Sequence, residues 1–136
     1  MPDIRIAFVG FRHGHITSLY DLADQTVGVC IAGACEEHGP TRASLQENGV
    51  IDVSHAAAAH LLDEVDCDVI AVGDAFGLRG SRAIAALEAG RHVIVDKPLC
   101  TRLEELSRIR VLAREKDLQV GCMLTMRDSA GTIAAR

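Results

Sequence analysis

Six short apolar runs punctuate the chain, and segments with helical spacing separate most of them. The first, Ile4 to Val9, is compact and ends at Gly10. Ile16, Leu19, Tyr20 and Ala23 then recur three or four residues apart, the spacing of one helix face. A second apolar run, Val27 to Ala34, stops at Cys35-Glu36-Glu37. Thr41 to Asn48 is predicted as a short helix, with Pro40 near its start and Gly49 at its stop. Val50 to Val53 is predicted as a third strand, and Ser54 as the cap of a helix reaching Leu62. Cys67 to Gly73 is a fourth strand, followed by a helix over Leu78 to Ala89 with Ile84 and Leu87 turned inward. His92 to Val95 is a fifth strand. Thr101 and Glu104 have the spacing of a capping box for a helix that buries Leu103, Leu106, Ile109 and Leu112. Leu118 to Leu124 is the sixth strand. Short, continuous apolar strands are covered on both faces, so the alternation predicts an α/β fold: a doubly wound, mostly parallel six-stranded sheet. No strand or helix pattern is read over the last residues, 128–136.

Composition narrows the function classes. Hydrophobic residues make up 49% of the chain and charged residues 24%, the balance of a globular domain. The net charge is −5 and the arginines are scattered, which argues against a nucleic-acid partner. No apolar run approaches membrane-spanning length and no signal peptide is recognisable, so a cytoplasmic location is expected. The five cysteines are odd in number and contain no CxxC pair, so reduced, buried thiols are expected.

Candidate chemistry lies where strands end. Ligands of open parallel sheets bind at the strands' carboxyl ends. Asp96-Lys97-Pro98 follows the fifth strand directly, and Lys97 is one of two lysines against twelve arginines. An ammonium changes protonation state more readily than a guanidinium when desolvated. An exposed lysine at a strand end is the plain alternative. The first turn reads Gly10-Phe11-Arg12-His13-Gly14-His15 between a strand and a helix, the context of a dinucleotide fingerprint. Of the glycines in G-x-G-x-x-G only Gly10 fits; Arg12 and His15 take the other two positions, and Gly14 is one place off. Arg12 either obstructs the approach of a pyrophosphate or pairs with it. Glu36 ends the second strand, where an acid accepts the ribose hydroxyls of NAD and repels the 2′-phosphate of NADP. Glu37 competes for that role. His13 and His15 have no carboxylate near them in sequence, so no metal site is expected there. Asp63, Glu64, Asp66 and Asp68 read as a solvated acidic loop.

Residues 86–99, Ala-Leu-Glu-Ala-Gly-Arg-His-Val-Ile-Val-Asp-Lys-Pro-Leu, resemble the A-L-x-A-G-K-H-V-x-x-E-K-P segment of the Gfo/Idh/MocA family, the glucose–fructose oxidoreductases and inositol dehydrogenases. The likeness covers nearly the whole chain. It implies a Rossmann domain over residues 1–125 that binds a nicotinamide dinucleotide, which the acid at Glu36 makes NAD rather than NADP. Residues 126–136, with Met126-Arg127, are similar to the family's passage into a second, substrate domain that is absent here. The resemblance implies a dehydrogenase acting on a hydroxyl of a sugar, cyclitol or related polyol. Lys97 would polarise that hydroxyl, with Asp96 as its electrostatic partner and Pro98 fixing the turn through a cis bond. Gly10, Phe11, Arg12, His13, Gly14 and His15 would line the pyrophosphate, with Gly73, Asp74 and Pro98 completing the cofactor site. The chain departs from the family at several of these places. Asp96 replaces glutamate, Gly73-Asp74 replaces Thr-Pro, and Arg79 stands near where a histidine is usual. Arg12, Gly73-Asp74 and the missing second domain support an alternative, a Rossmann-like binding module without turnover. Without a second domain the chain alone is not expected to be catalytically competent, and apolar surface left bare favours self-association into a homo-oligomer.

Overall fold

A computed structural model describes residues 3–124, 126–127 and 129–135. Five parallel strands form one sheet: β1 (Ile4–Phe11), β2 (Val29–Cys35), β3 (Val69–Gly73), β4 (His92–Asp96) and β5 (Val120–Met123), in the order β2-β1-β3-β4-β5. Six helices accompany them: α1 (Gly14–Asp24), α2 (Gly39–Asn48), α3 (Ala58–Glu64), α4 (Phe76–Glu88), α5 (Leu103–Glu115) and α6 (Ala130–Ala134). Thr125, at the expected domain boundary, and Met1, Pro2, Asp128 and Arg136 lie outside the described residues.

Both faces of β1 are buried, and its alternate residues feed two cores. Ile6 and Phe8 pack with Ile16 and Ala23 of α1 and with Leu45 of α2. Ala7 and Val9 face the other way, with Leu61 of α3, Ala83, Ala86 and Leu87 of α4, and Ile109 and Leu112 of α5. A sheet wrapped on both faces is why its central strands are nearly continuous apolar runs.

The sheet has five strands, not the six the sequence predicts. Val50 to Val53 carries strand-like residues, and Ile51 is buried against the Phe8 side of the core. The segment nevertheless makes a single parallel bridge, His55 to Cys35, and no ladder. The N–H groups of Ser54 and His55 both donate to Ala34 O, at 3.0 Å each. Two donors spent on one carbonyl cannot continue a ladder, so the segment buries its side chains at the edge of β2 without becoming a strand.

Two expected caps also differ. Ser54 Oγ is occupied by the edge of β2, accepting from Ala34 N at 3.1 Å, and the N-cap of α3 is Ala57, without a side-chain cap. The capping box at Thr101 and Glu104 does not form; Arg102 is the N-cap of α5, without a side-chain bond, and Leu103 is exposed. The last residues, read as patternless, include the short helix α6, capped by Ser129 Oγ accepting from Thr132 N at 3.3 Å. No helix among the described residues is long and apolar enough to cross a membrane.

All five cysteines are free thiols. Cys35 and Cys67 are buried, and burial pushes the Cys35 thiol up to about 12. Cys30 is exposed. A thiolate-directed reagent is therefore expected to modify Cys30 in the native chain and to reach Cys35 and Cys67 only in denaturant. Peptide mapping after timed alkylation checks this; Cys35 reacting as fast as Cys30 would contradict the packing.

Candidate functional site

The carboxyl ends of β1, β3 and β4 meet at one edge of the sheet. The order β2-β1-β3 makes this edge a topological switch point, because chain connections leave β1 and β3 in opposite directions. Gly10 closes β1 at φ +80°, and a Cβ there would sit 2.6 Å from the Asp74 Cα. Gly73, beside it at the end of β3, admits no Cβ either, since one would meet Ile16 Cβ of α1 at 2.3 Å. Two glycines thus let the turn, β3 and α1 close onto one another. Glycine was read at position 10 as a phosphate approach; its first requirement here is the close passage of the two strand ends.

Beyond Gly10, the residues of the turn face different ways. Phe11 is buried and stacks with Phe8 at 6.1 Å and edge-on to Tyr20 at 6.0 Å, so only its backbone belongs to the turn. Arg12 is exposed and, among the described residues, has no ion pair. His13 is the N-cap of α1, its Nδ1 accepting from His15 N at 3.5 Å. Gly14 opens the helix with nothing within 4 Å of where a Cβ would stand. The result is an open helix N-terminus beside a cation, an arrangement that suits an anion.

Glu36 lies beneath this turn. It is 1% exposed, and both carboxylate oxygens are engaged: Oε2 accepts from Phe11 N at 2.6 Å and Oε1 from His38 N at 2.8 Å. The residue expected at the ribose therefore braces the glycine turn from inside. Glu37 is the more exposed of the two acids, with Oε1 accepting from Ala58 N at 2.7 Å and Oε2 paired with Arg82. Burial alone would raise the Glu37 carboxyl, but the Ala58 N–H and the Arg82 charge outweigh it and hold it below its ordinary range.

Across the edge, Asp96 is fully buried, and its partners are not the expected one. Oδ1 accepts from His15 Nδ1 at 3.0 Å and from the Lys97 backbone N–H at 2.8 Å. Oδ2 accepts from Arg79 Nη2 at 3.1 Å and lies 2.9 Å from His13 Nδ1. Among the described residues the Lys97 ammonium forms no ion pair, with Asp96 or any other group. Burial would raise the Asp96 carboxyl; the His15 hydrogen bond and the Arg79 charge prevail and depress it. Two histidines that lacked a carboxylate in sequence thus share one in space, supplied from 81 residues away.

Arg79, noted in the sequence only as standing near the place of a usual histidine, had no role assigned there. It is completely buried, and burial works against its charge. Its Nε donates to Asp74 O at 2.7 Å, Nη1 to Lys97 O and Nη2 to Asp96, while Phe76 lies 4.7 Å beneath the guanidinium. One planar fork therefore ties the end of β3 to the end of β4. Asp74, 3% exposed, turns its carboxylate to Ala75 N at 2.7 Å and to Arg82 Nε at 3.3 Å. No spacing rule pairs residues 74, 79 and 96; an arginine in the first turn after a strand was the only signal.

Lys97 stands outside this network. It is exposed, the Lys97–Pro98 peptide is cis, and the side chain borders a shallow apolar cleft of about 320 Å³ with Leu124, Met126, Arg127 and Thr132. The cleft sets this ammonium, which has no ion pair among the described residues, beside an apolar wall.

The comparisons with known proteins agree with this architecture. The model of an oxidoreductase family with an NAD-binding Rossmann fold, Gfo/Idh/MocA, matches residues 4–123. A 1,5-anhydro-D-fructose reductase of Ensifer adhaerens is 33% identical over 90 residues, which are 66% of this chain and 27% of that protein. The WlbA dehydrogenase of Chromobacterium violaceum, solved with NADH and UDP-GlcNAcA, superposes with a TM-score of 0.80 at 25% identity, over 98% of this chain and 39% of its own. The scyllo-inositol dehydrogenase of Lactobacillus casei shares the fold at a TM-score of 0.81 and 16% identity, over 98% of this chain and 40% of its own. The chain thus spans well under half the length of these relatives.

Proposed function

Because this chain belongs to the Gfo/Idh/MocA oxidoreductase family, as an NAD-binding Rossmann domain, we propose that it binds NAD in preference to NADP and serves hydride transfer at a hydroxyl-bearing carbon of a sugar or cyclitol. The observation that carries the proposal is the meeting of an open helix N-terminus, Arg12 and Lys97 along one switch-point edge. The residues present suit a dinucleotide: Gly14 leaves its backbone uncovered, and no acidic side chain lies in the first turn of α1 to repel a diphosphate. When bound, the nicotinamide accepts or gives up the hydride.

The chain's own residues do the rest. Gly10, Gly14 and the N–H groups opening α1 receive the diphosphate, and Arg12 pairs with it. Glu36 holds the turn through Phe11 N, and Glu37, the acid nearer solvent, accepts the ribose hydroxyls. Two carboxylates at the end of β2 repel a 2′-phosphate, which sets the preference for NAD. Lys97 Nζ donates to the substrate hydroxyl and takes part in moving its proton. Among the described residues this ammonium forms no ion pair, which leaves its donors for substrate. Residues 126–136 would lead from this domain toward a second one, which supplies the far wall of the substrate site.

Titrating the chain with NADH and with NADPH, followed by cofactor fluorescence, tests the reading; the absence of tryptophan keeps the protein background low. Saturable binding, tighter for NADH, is expected. No binding of either cofactor by a chain shown to be folded would favour a binding module without turnover. Arg12→Ala is expected to weaken NADH about tenfold, the loss of one charge-assisted contact of about 1.5 kcal/mol. Tighter binding by that variant would instead make Arg12 an obstruction.

A further inference from the structure

We propose that His13, His15 and Asp96 bind one divalent transition-metal ion of the zinc class. The ligand atoms would be one ring nitrogen of each histidine and a carboxylate oxygen of Asp96. The inference does not depend on the dehydrogenase reading.

One imidazole nitrogen from each histidine and one carboxylate oxygen lie within 4.8 Å of one another. Ligands about 2.0–2.2 Å from a shared ion stand roughly 3–4 Å apart; His13 Nδ1 lies 2.9 Å from Asp96 Oδ2 and His15 Nδ1 3.0 Å from Oδ1, so each ring reaches one oxygen of the same carboxylate at about that spacing. Two nitrogens and one oxygen suit zinc, cobalt, nickel or ferrous iron, not magnesium or calcium, which prefer oxygen alone.

His13 Nδ1 lies 2.9 Å from Asp96 Oδ2 and 3.5 Å from the His15 backbone N–H, and an ion bound at that nitrogen would take its one lone pair in place of the long cap contact.

The donors are also held in place. His13 is the N-cap of α1 and His15 lies in its first turn, while Asp96 ends β4 in the core. Arg79 Nη2 and the Lys97 backbone N–H orient the carboxylate from behind, as outer partners orient a metal-bound carboxylate. Both imidazoles are about one-third exposed, at 34% and 31%, so an ion there keeps open positions toward solvent. The nearby Arg79 charge opposes a dication and makes the site weaker than a closed structural zinc site.

The test is a zinc titration of the purified, untagged chain with Cys30 alkylated, read by competition with a chromophoric chelator. One ion per chain is expected. His13→Ala and His15→Ala should each weaken binding at least about tenfold, whereas His60→Ala, an exposed histidine elsewhere, should leave it unchanged. Circular dichroism of each variant separates lost ligands from lost fold. Absence of saturable binding, or binding that survives in His13→Ala and His15→Ala, would overturn the proposal. Cobalt(II) gives a second readout: ligand-field bands that disappear in the same two variants.

Discussion

Arg79→Met is expected to destabilise the chain by about 3–5 kcal/mol, the range for removing one partner of a buried ion pair. The guanidinium is fully buried and makes three directed bonds, to Asp74 O, Lys97 O and Asp96 Oδ2. Methionine fills much of the volume and satisfies none of these groups. Two strand-end carbonyls lose a donor, and the Asp96 carboxylate loses its only full charge of opposite sign that does not depend on histidine protonation. Arg79→Lys should recover only part of the loss, because a single ammonium cannot span three acceptors arranged for a planar fork. Urea unfolding followed by far-ultraviolet circular dichroism measures both variants. A change under about 1 kcal/mol for Arg79→Met would mean that the histidines carry the Asp96 charge unaided.

The second large effect is on turnover. In the polypeptide that performs the proposed hydride transfer, Lys97→Met is expected to lower kcat about 10²–10⁴-fold, the span of general acid–base contributions. NADH affinity should stay within about twofold, because the lysine is assigned to the substrate hydroxyl and not to the diphosphate. Stability should also hold, since the side chain is exposed and its ammonium has no ion pair among the described residues. Steady-state kinetics beside a cofactor titration separates the outcomes. Turnover preserved in Lys97→Met would remove the lysine from the chemistry, and an equal loss of NADH binding would move it to the cofactor.

Legibility differed between elements for identifiable reasons. β1, β3 and β4 were plain in the sequence because central parallel strands bury both faces, leaving apolar runs bounded by glycine or charge. The segment around Ile51 carried the same signal without the same outcome. Burial of Ile51 writes a hydrophobic pattern, but a strand also needs free ladder partners, and Ser54 and His55 spend theirs on Ala34 O. The cap at Ser54 was misread because its hydroxyl exchanges bonds with the Ala34 backbone instead, and the one at Thr101 because α5 starts a residue later, with Arg102 as its N-cap.

The site divides in the same way. Local sequence determined the alternation of strands and helices, Gly10 at the end of β1, and Asp96-Lys97-Pro98 at the end of β4, because each depends on residues within one turn or one strand. Only the tertiary structure decided what those residues do to one another. It turned Glu36 inward to hold Phe11 N, took Asp96 away from Lys97, and joined it to His13, His15 and Arg79. Such pairings join positions 17 to 83 residues apart, set by the order in which strands enter the sheet. Hydrophobic periodicity records which face of an element is buried; it carries no record of which polar groups meet where the strands end.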